Sequence, residues 1–332
     1  MSQINVNSEP IPAGQAAGVS VILPILNEER YLDGAIMAIL AQEYSGPIEV
    51  ILALGPSTDR TNEIAQALAD HDSRVVLVAN PTGKTAAALN RAIAASHYSI
   101  ICRIDGHAEI SPTYIESAVA TMGETKAVNV GGIMAAAGIG AFERAVATAM
   151  RSSLGVGVAR FHIGGKPGPA DTVYLGVFKK EALLAVGGYD ERFTRAQDWE
   201  LNFRLRQAGG TIWFDPELVV TYRPRPDLGA LAKQYFEYGR WRRAVSRNHQ
   251  GTINFRYLAP PVTVAVTALS LVLGATINPA FLLPAGMYLT GNLIGAFVIG
   301  KDLREKIMLP AILATMHFSW GIGFLTSPRG LI

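Results

Sequence analysis

The sequence predicts an α/β fold, a mostly parallel sheet with helices on both faces, followed by a C-terminal helical transmembrane region. Two observations carry that expectation. In the first third of the chain, short apolar, β-branched runs alternate with segments whose apolar residues recur at helical spacing. Near the end, charge disappears: there is no Asp, Glu, Lys or Arg from residue 257 to 300, nor from 307 to 328.

Taken in order, the strands are expected at 19–24, 48–54, 75–79 and 99–105, and the intervening helices at 28–41, 59–70 and 85–95. Ligands of such sheets bind at the carboxyl ends of the strands, so the loops after Leu23, Leu54, Ala79 and Ile104 are where chemistry is sought. Residues 130–222 are mixed in pattern. Their clearest feature is a Gly187-Gly188-Tyr189-Asp190 turn, followed by a helix over 197–208 that stops at Gly209-Gly210.

A helix continued through the first charge-free stretch would be about 66 Å long at ~1.5 Å per residue, twice the ~30 Å of a bilayer's hydrocarbon. It must fold back, and Asn278-Pro279 is the natural break. Three spans follow, near 257–277, 280–300 and 307–327. A buried hairpin of a soluble core is the bland alternative. Arg240, Arg242, Arg243, Arg247 and Arg256 precede the first span, and Lys301, Arg304 and Lys306 lie in the loop after the second. By the positive-inside rule the N-terminal region is then cytoplasmic at the cell membrane and the C-terminus outside, with Arg329 as an exception.

The 332 residues carry a net charge of only +2, but eight Lys or Arg against Asp227 and Glu237 fall between 223 and 256. Such a collar beside a membrane span suits anionic headgroups or lipid phosphate and gives no reason to invoke nucleic acid. Cys102 is the only cysteine, which excludes a disulfide framework and a cysteine zinc site. The domain plan is a flexible tail over 1–18 without signal-peptide features, an α/β domain over 19–225, an interfacial segment over 226–256 and spans within 257–328.

Polar residues punctuate the predicted strand ends. Asn27 and Glu28 after Pro24, and Asp59 after Ser57-Thr58, either cap the next helix or face a base and ribose. Lys84, in Thr82-Gly83-Lys84-Thr85, is not part of a P-loop, because position 78 is Val rather than Gly. A lysine at a helix start still meets a diphosphate as a point charge. Arg103-Ile104-Asp105-Gly106-His107 offers a carboxylate and an imidazole across a glycine, suited either to one hard cation or to a plain turn. In Gln197-Asp198-Trp199-Glu200 the aspartate is either a general base or a charge stabilised by the helix dipole.

In that order these elements resemble the family 2 inverting glycosyltransferases of GT-A fold. Pro24-Ile25-Leu26-Asn27-Glu28 is similar to the opening Pro-x-x-Asn-Glu element, Ser57-Thr58-Asp59 to the end of the second, and Asn80 through Asn90 to the third. Asp105-Gly106-His107 stands where the metal-binding Asp-x-Asp would be, and Gln197-Asp198 where the catalytic-base aspartate would be. The Asp-Gly-His variant and short membrane region resemble bacterial succinoglycan-type chain-extending transferases, which lengthen a polyprenyl-diphosphate-linked oligosaccharide.

The resemblance implies a nucleotide-sugar donor, with UDP-sugar first, held by Pro24, Asn27, Glu28, Asp59, Lys84, Arg103 and Asp105. It implies Mn²⁺ or Mg²⁺ on Asp105 and His107, the imidazole favouring Mn²⁺. Asp198 would be the base, with Gln197, Trp199, Arg240 and Trp241 toward a polyprenyl-linked glycan acceptor. Leu54 and Gly55 replace the family's usual paired acids, which weakens the uridine assignment. The Gln-x-x-Arg-Trp motif of processive members is present only as Glu237-Tyr238-Gly239-Arg240-Trp241, so a single sugar is expected to be added. The rival readings are a polyprenyl-phosphate sugar synthase and a catalytically silent membrane scaffold.

Overall fold

A computed structural model describes residues 16–332, so most of the tail expected over 1–18 lies outside the described residues. The chain divides into two compact units, one formed by residues up to 134 with 164–221, the other by 135–163 with 222–332. The continuous domain expected over 19–225 is thus interrupted, because 135–163 packs with the C-terminal helices instead.

In the first unit the early elements are β1 (Val19–Ile25), α1 (Leu32–Leu40), β2 (Ile48–Leu54), α2 (Thr61–His71), β3 (Val75–Ala79), α3 (Thr85–Ala95) and β4 (Ile100–Arg103). They continue with β5 (Glu109–Ile110), α4 (Tyr114–Thr125) and β6 (Asn129–Ala136). After the second unit's α5 (Ala141–Met150), α6 (Ser153–Val156) and α7 (Arg160–Ile163) come β7 (Gly168–Pro169), β8 (Tyr174–Lys179), α8 (Lys180–Ala185), α9 (Gln197–Gln207) and β9 (Ile212–Tyr222). The sheet order is β3-β2-β1-β4-β8-β6-β9-β5, with β7 also on β9. β3, β2, β1 and β4 are parallel, whereas β8 joins β4 antiparallel.

Strand alternation divides the core between two faces. Val19, Val21, Leu23, Val50 and Leu52 pack with α1, α2 and α4 through Leu32, Ile36, Ala65, Ile115 and Ala118. Ile22, Ile51, Ala53 and Ile101 pack with α3, α8 and α9 through Leu89, Ile93, Leu183, Leu201 and Leu205. Both faces are therefore covered, as near-continuous apolar strands require. Strand β4 ends two residues earlier than its pattern suggests, at Arg103, which frees Asp105 to leave the sheet at its carboxyl end. Helix α1 starts at Leu32 rather than residue 28, because Asn27 takes a left-handed conformation (φ 57°) and turns the chain first.

The second unit contains α10 (Leu228–Asn248), α11 (Phe255–Thr276), a 3₁₀ turn at Pro279–Leu282, α12 (Leu283–Ile299) and α13 (Leu303–Thr326). Asp227 caps α10, accepting from the Ala230 amide at 2.8 Å. Among the described residues three helices are long and apolar enough to cross a membrane, Phe255–Thr276, Pro279–Ile299 and Leu303–Thr326. Asn278 holds the break between the first two by accepting from the Ala280 amide at 2.8 Å.

Candidate functional site

The loops after β1 and β2 are sewn together by their own polar groups. Asn27 Oδ1 accepts from the Thr58 amide at 2.8 Å, and the Asn27 amide donates to Ser57 Oγ at 3.1 Å. Asp59 accepts from the Thr61 amide and hydroxyl at 3.1 and 2.5 Å, and the hydroxyl in particular holds its carboxyl below the ordinary range. These contacts tie the two loops to each other, and neither Asn27 nor Asp59 is the N-cap of the helix that follows it. Pro24 is half-buried in β1 beside Ala53 of β2. Lys84 is exposed at the start of α3, its backbone extended (φ −83°, ψ 135°).

Arg103 is the hub. Its side chain is only 5% exposed, and it bonds both Asp105, at 3.1 Å, and Asp198, 95 residues along the chain. The sequence suggested donor contact for Arg103. It is buried between two carboxylates, whose bonds hold β4's end and α9's start at one rim. Tyr189 is buried beside it, with its phenol ionisation pushed up chiefly by desolvation.

His107 meets the β1 loop rather than Asp198: its Nδ1 lies 2.8 Å from Glu28 Oε1. Glu28, expected at the base or ribose, is thereby engaged with an imidazole. Gly106 is tight because a Cβ there would lie 2.9 Å from Ile25 Cδ1 and 3.0 Å from Glu28 Cγ. A Gly106→Ala variant should therefore displace Glu28 from His107 and lower activity with little loss of Tm, checked by activity assay and thermal melt side by side.

Asp198 stands at the first turn of α9, where the helix dipole favours a negative charge. Ala196, just before the helix, is left-handed at φ 60°, the bend that turns the chain into it. Burial raises the Asp198 carboxyl above its ordinary value, Arg103 opposes that and Asp105 adds to it. Gln197 and Trp199 are half-buried on either side, and Trp199 stacks on Phe203 with centroids 5.6 Å apart.

A brace that sequence reading missed fixes α9. Glu200 is 1% exposed and is gripped by Arg204 at 2.7 and 2.6 Å. The same guanidinium donates to the Val186 and Gly188 carbonyls at 2.6 and 2.8 Å. Asn90 of α3 holds the next residue, exchanging two 2.8 Å bonds with the Tyr189 backbone. The i,i+4 spacing of Glu200 and Arg204 was the one signal available for it.

Arg240 and Trp241 belong to α10 in the second unit. Both bond Glu237, Arg240 at 2.7 Å and the Trp241 indole N–H at 3.2 Å. Trp241 and Tyr235 are each 5% exposed. The ring expected to meet an acceptor is thus interior to the helical unit, because α10 is buried along the face that carries Leu231, Tyr235, Trp241 and Val245.

Comparison with known proteins settles the class. The sequence signature of glycosyl transferase family 2 matches residues 20–187. The chain belongs to glycosyltransferase family 2. This family 2 glycosyltransferase is 34% identical to the succinoglycan biosynthesis protein ExoA of Rhizobium meliloti, over 92% of this chain and 93% of that one. It is 24% identical, over 95% and 97%, to the Methanococcus voltae dolichyl N-acetyl-α-D-glucosaminyl phosphate 3-β-D-2,3-diacetamido-2,3-dideoxy-β-D-glucuronosyltransferase. In fold it is similar to the Pyrobaculum calidifontis mannosyltransferase PcManGT, solved with GDP-Man and Mn²⁺, at TM-score 0.62 and 20% identity over 92% and 89% of the two chains. Its sheet is that of a GT-A glycosyltransferase.

Proposed function

We propose that the enzyme transfers one sugar, with inversion, from a nucleotide-sugar donor to a hydroxyl of a lipid-linked glycan at the cytoplasmic face of the cell membrane, in polysaccharide or envelope-glycan synthesis. The observation that carries the reading is the Arg103 hub, which joins Asp105 and Asp198 at one rim. Asp198 takes the proton of the acceptor hydroxyl as that oxygen attacks the anomeric carbon, and the nucleoside diphosphate departs from the opposite face. Lys84, exposed at the start of α3, supplies charge for the diphosphate. Relatives support the substrate classes: one is named for succinoglycan synthesis, one for transfer to a dolichyl-phosphate-linked sugar, and a neighbour in fold carries GDP-Man.

The donor set for a metal is one carboxylate, Asp105, and one imidazole, His107, braced by Glu28. Among the described residues no group of three or more His, Cys, Asp or Glu is placed to hold an ion alone. That set fits a divalent cation which completes its shell with diphosphate oxygens, as the Mn²⁺ in the neighbour's complex suggests. Such an ion would neutralise charge on the leaving diphosphate. Chelation should abolish turnover, Mn²⁺ should restore it, and Asp105→Ala should remain inactive after Mn²⁺ addition. Donor hydrolysis and transfer, read with a panel of nucleotide sugars and polyprenyl-linked lipids by product mass, test the whole reading. Turnover by Asp105→Ala equal to the parent enzyme would refute the metal site.

The base must be ionised to work, so kcat/KM should fall on the acid side. Because the Asp198 carboxyl is raised by burial, the acid limb should have its midpoint above the ~4 of an ordinary aspartate. A profile flat down to pH 4 would show that the Arg103 pairing, and not burial, sets the ionisation of Asp198. In the membrane, α11 and α12 are read as crossing helices that keep the sugar-transfer domain cytoplasmic.

A further inference from the structure

Helix α13 has the length and composition of a span, yet both of its ends are held by polar and charged groups of α10 and α5. Its last two turns lie backbone to backbone on α10: a Cβ on Gly239 would strike the Trp320 carbonyl, and one on Gly323 the Phe236 carbonyl. Arg247 of α10 donates to the Ser327 and Pro328 carbonyls at 2.9 and 2.7 Å, and Ser327 Oγ returns a bond to the Arg240 carbonyl at 2.9 Å. Over that contact α10 carries Arg240, Arg242, Arg243 and Arg247, a density of charge that hydrocarbon does not admit. The C-terminal end of α13 is therefore at headgroup depth, on α10's side of the membrane.

The other end of α13 is tied to the same side. It follows the charged loop Lys301-Asp302-Leu303-Arg304-Glu305-Lys306, and Glu305, 5% exposed, accepts from the Thr148 hydroxyl of α5 at 3.1 Å. Among the described residues no candidate span precedes α11, so α5 and α10 share one side. Chain order agrees, since the Ala137 amide, four residues before α5, bonds the Tyr222 carbonyl, six residues before α10, at 2.9 Å. A helix of 24 residues is ~36 Å long, enough to cross, but with both ends on one side it does not.

We propose that α13 lies along the membrane surface as an interfacial helix, that only α11 and α12 cross, and that the C-terminus is on the same side as the sugar-transfer domain. The lipid surface is its partner: α10 and α5, with α11 at Gly321 and α12 at Pro310 and His317, cover part of the helix, and the headgroup boundary covers the rest. The share of each candidate span buried by protein fits, 39% for α13 against 11% and 17% for the α11 and α12 segments, which lipid must cover. The assignment also removes an anomaly, because Arg329 then joins Lys301, Arg304 and Lys306 on the cytoplasmic side.

The inference rests on the membrane reading above, and cysteine labelling separates the two. Cys102 is buried and gives a silent background. Single cysteines are placed at the C-terminus (Ile332→Cys, with Arg329→Cys as a second position), on the exposed loop before β2 (Ser45→Cys) and at the hairpin turn (Ala280→Cys). A membrane-impermeant maleimide is applied to spheroplasts and to inside-out vesicles. Both C-terminal cysteines should label from the same face as Ser45→Cys, and Ala280→Cys from the other. Labelling of the C-terminal cysteines only together with Ala280→Cys would overturn the proposal. Labelling of all four from one face would leave the C-terminal assignment standing and remove the two crossings instead.

Discussion

Asp198→Asn should lower kcat for sugar transfer by about 10²–10⁴-fold, the usual worth of a positioned general base, while donor affinity stays within a few-fold of the parent. The amide is isosteric and still accepts a hydrogen bond from Arg103, so the rim of β4 and α9 keeps its shape while the proton acceptor is lost. The measurement is steady-state transfer with the lipid-linked acceptor, alongside titration of nucleoside diphosphate and Mn²⁺. Turnover close to the parent's would mean that the nucleophile needs no base. A lipid phosphate attacks without one, so that result would favour the phospho-sugar synthase reading.

Arg204→Ala should be the most destabilising substitution in the site's support, at about 3–5 kcal/mol. Its partner Glu200 is 1% exposed, and truncation leaves that carboxylate buried without its guanidinium. The Val186 and Gly188 carbonyls lose their donor at the same time, so the turn that carries Tyr189 loosens beside Arg103. The check is thermal unfolding in detergent, with Tm expected to fall by many degrees. Replacing the pair together, Glu200→Leu with Arg204→Met, should recover much of the loss, because the buried carboxylate is removed with its guanidinium. An Arg204→Ala variant as stable as the parent would show that the pair does not brace α9.

The parallel half of the sheet was legible because its strands are apolar runs bounded by helices. β2, β3 and α3 begin and end where the residue pattern says, at Ile48–Leu54, Val75–Ala79 and Thr85–Ala95. The antiparallel half was not. Gly131-Gly132 interrupts β6 at a register shift, and a Cβ on Gly132 would collide with the Leu218 carbonyl, so glycine there reports close packing rather than a loop. Leu175 sits at φ 55° within β8, which no side-chain pattern announces. Helices α6 and α7 are four residues each, shorter than any period can reveal.

The site divides in the same way. Asp105, His107 and Asp198 are visible by local spacing, since each stands at a strand end or helix start. The contacts that hold the site together are mostly non-local, Arg103 with Asp198, His107 with Glu28 and Asn90 with Tyr189, whereas Arg103 with Asp105 is close in the chain. Chain-distant pairing is set by sheet topology, which local periodicity does not encode. Trp241, a motif residue expected toward the acceptor, is placed by packing inside the helical unit, which its local sequence does not announce.

The most direct measurement of the central claim is the anomeric configuration of the product, read by NMR of the sugar transferred onto a lipid-linked acceptor from a donor of known anomer. Direct attack by a hydroxyl that Asp198 deprotonates requires the product to carry the anomer opposite to the donor's. A product that keeps the donor's configuration would contradict the mechanism, because a single displacement at the Arg103 rim cannot yield it.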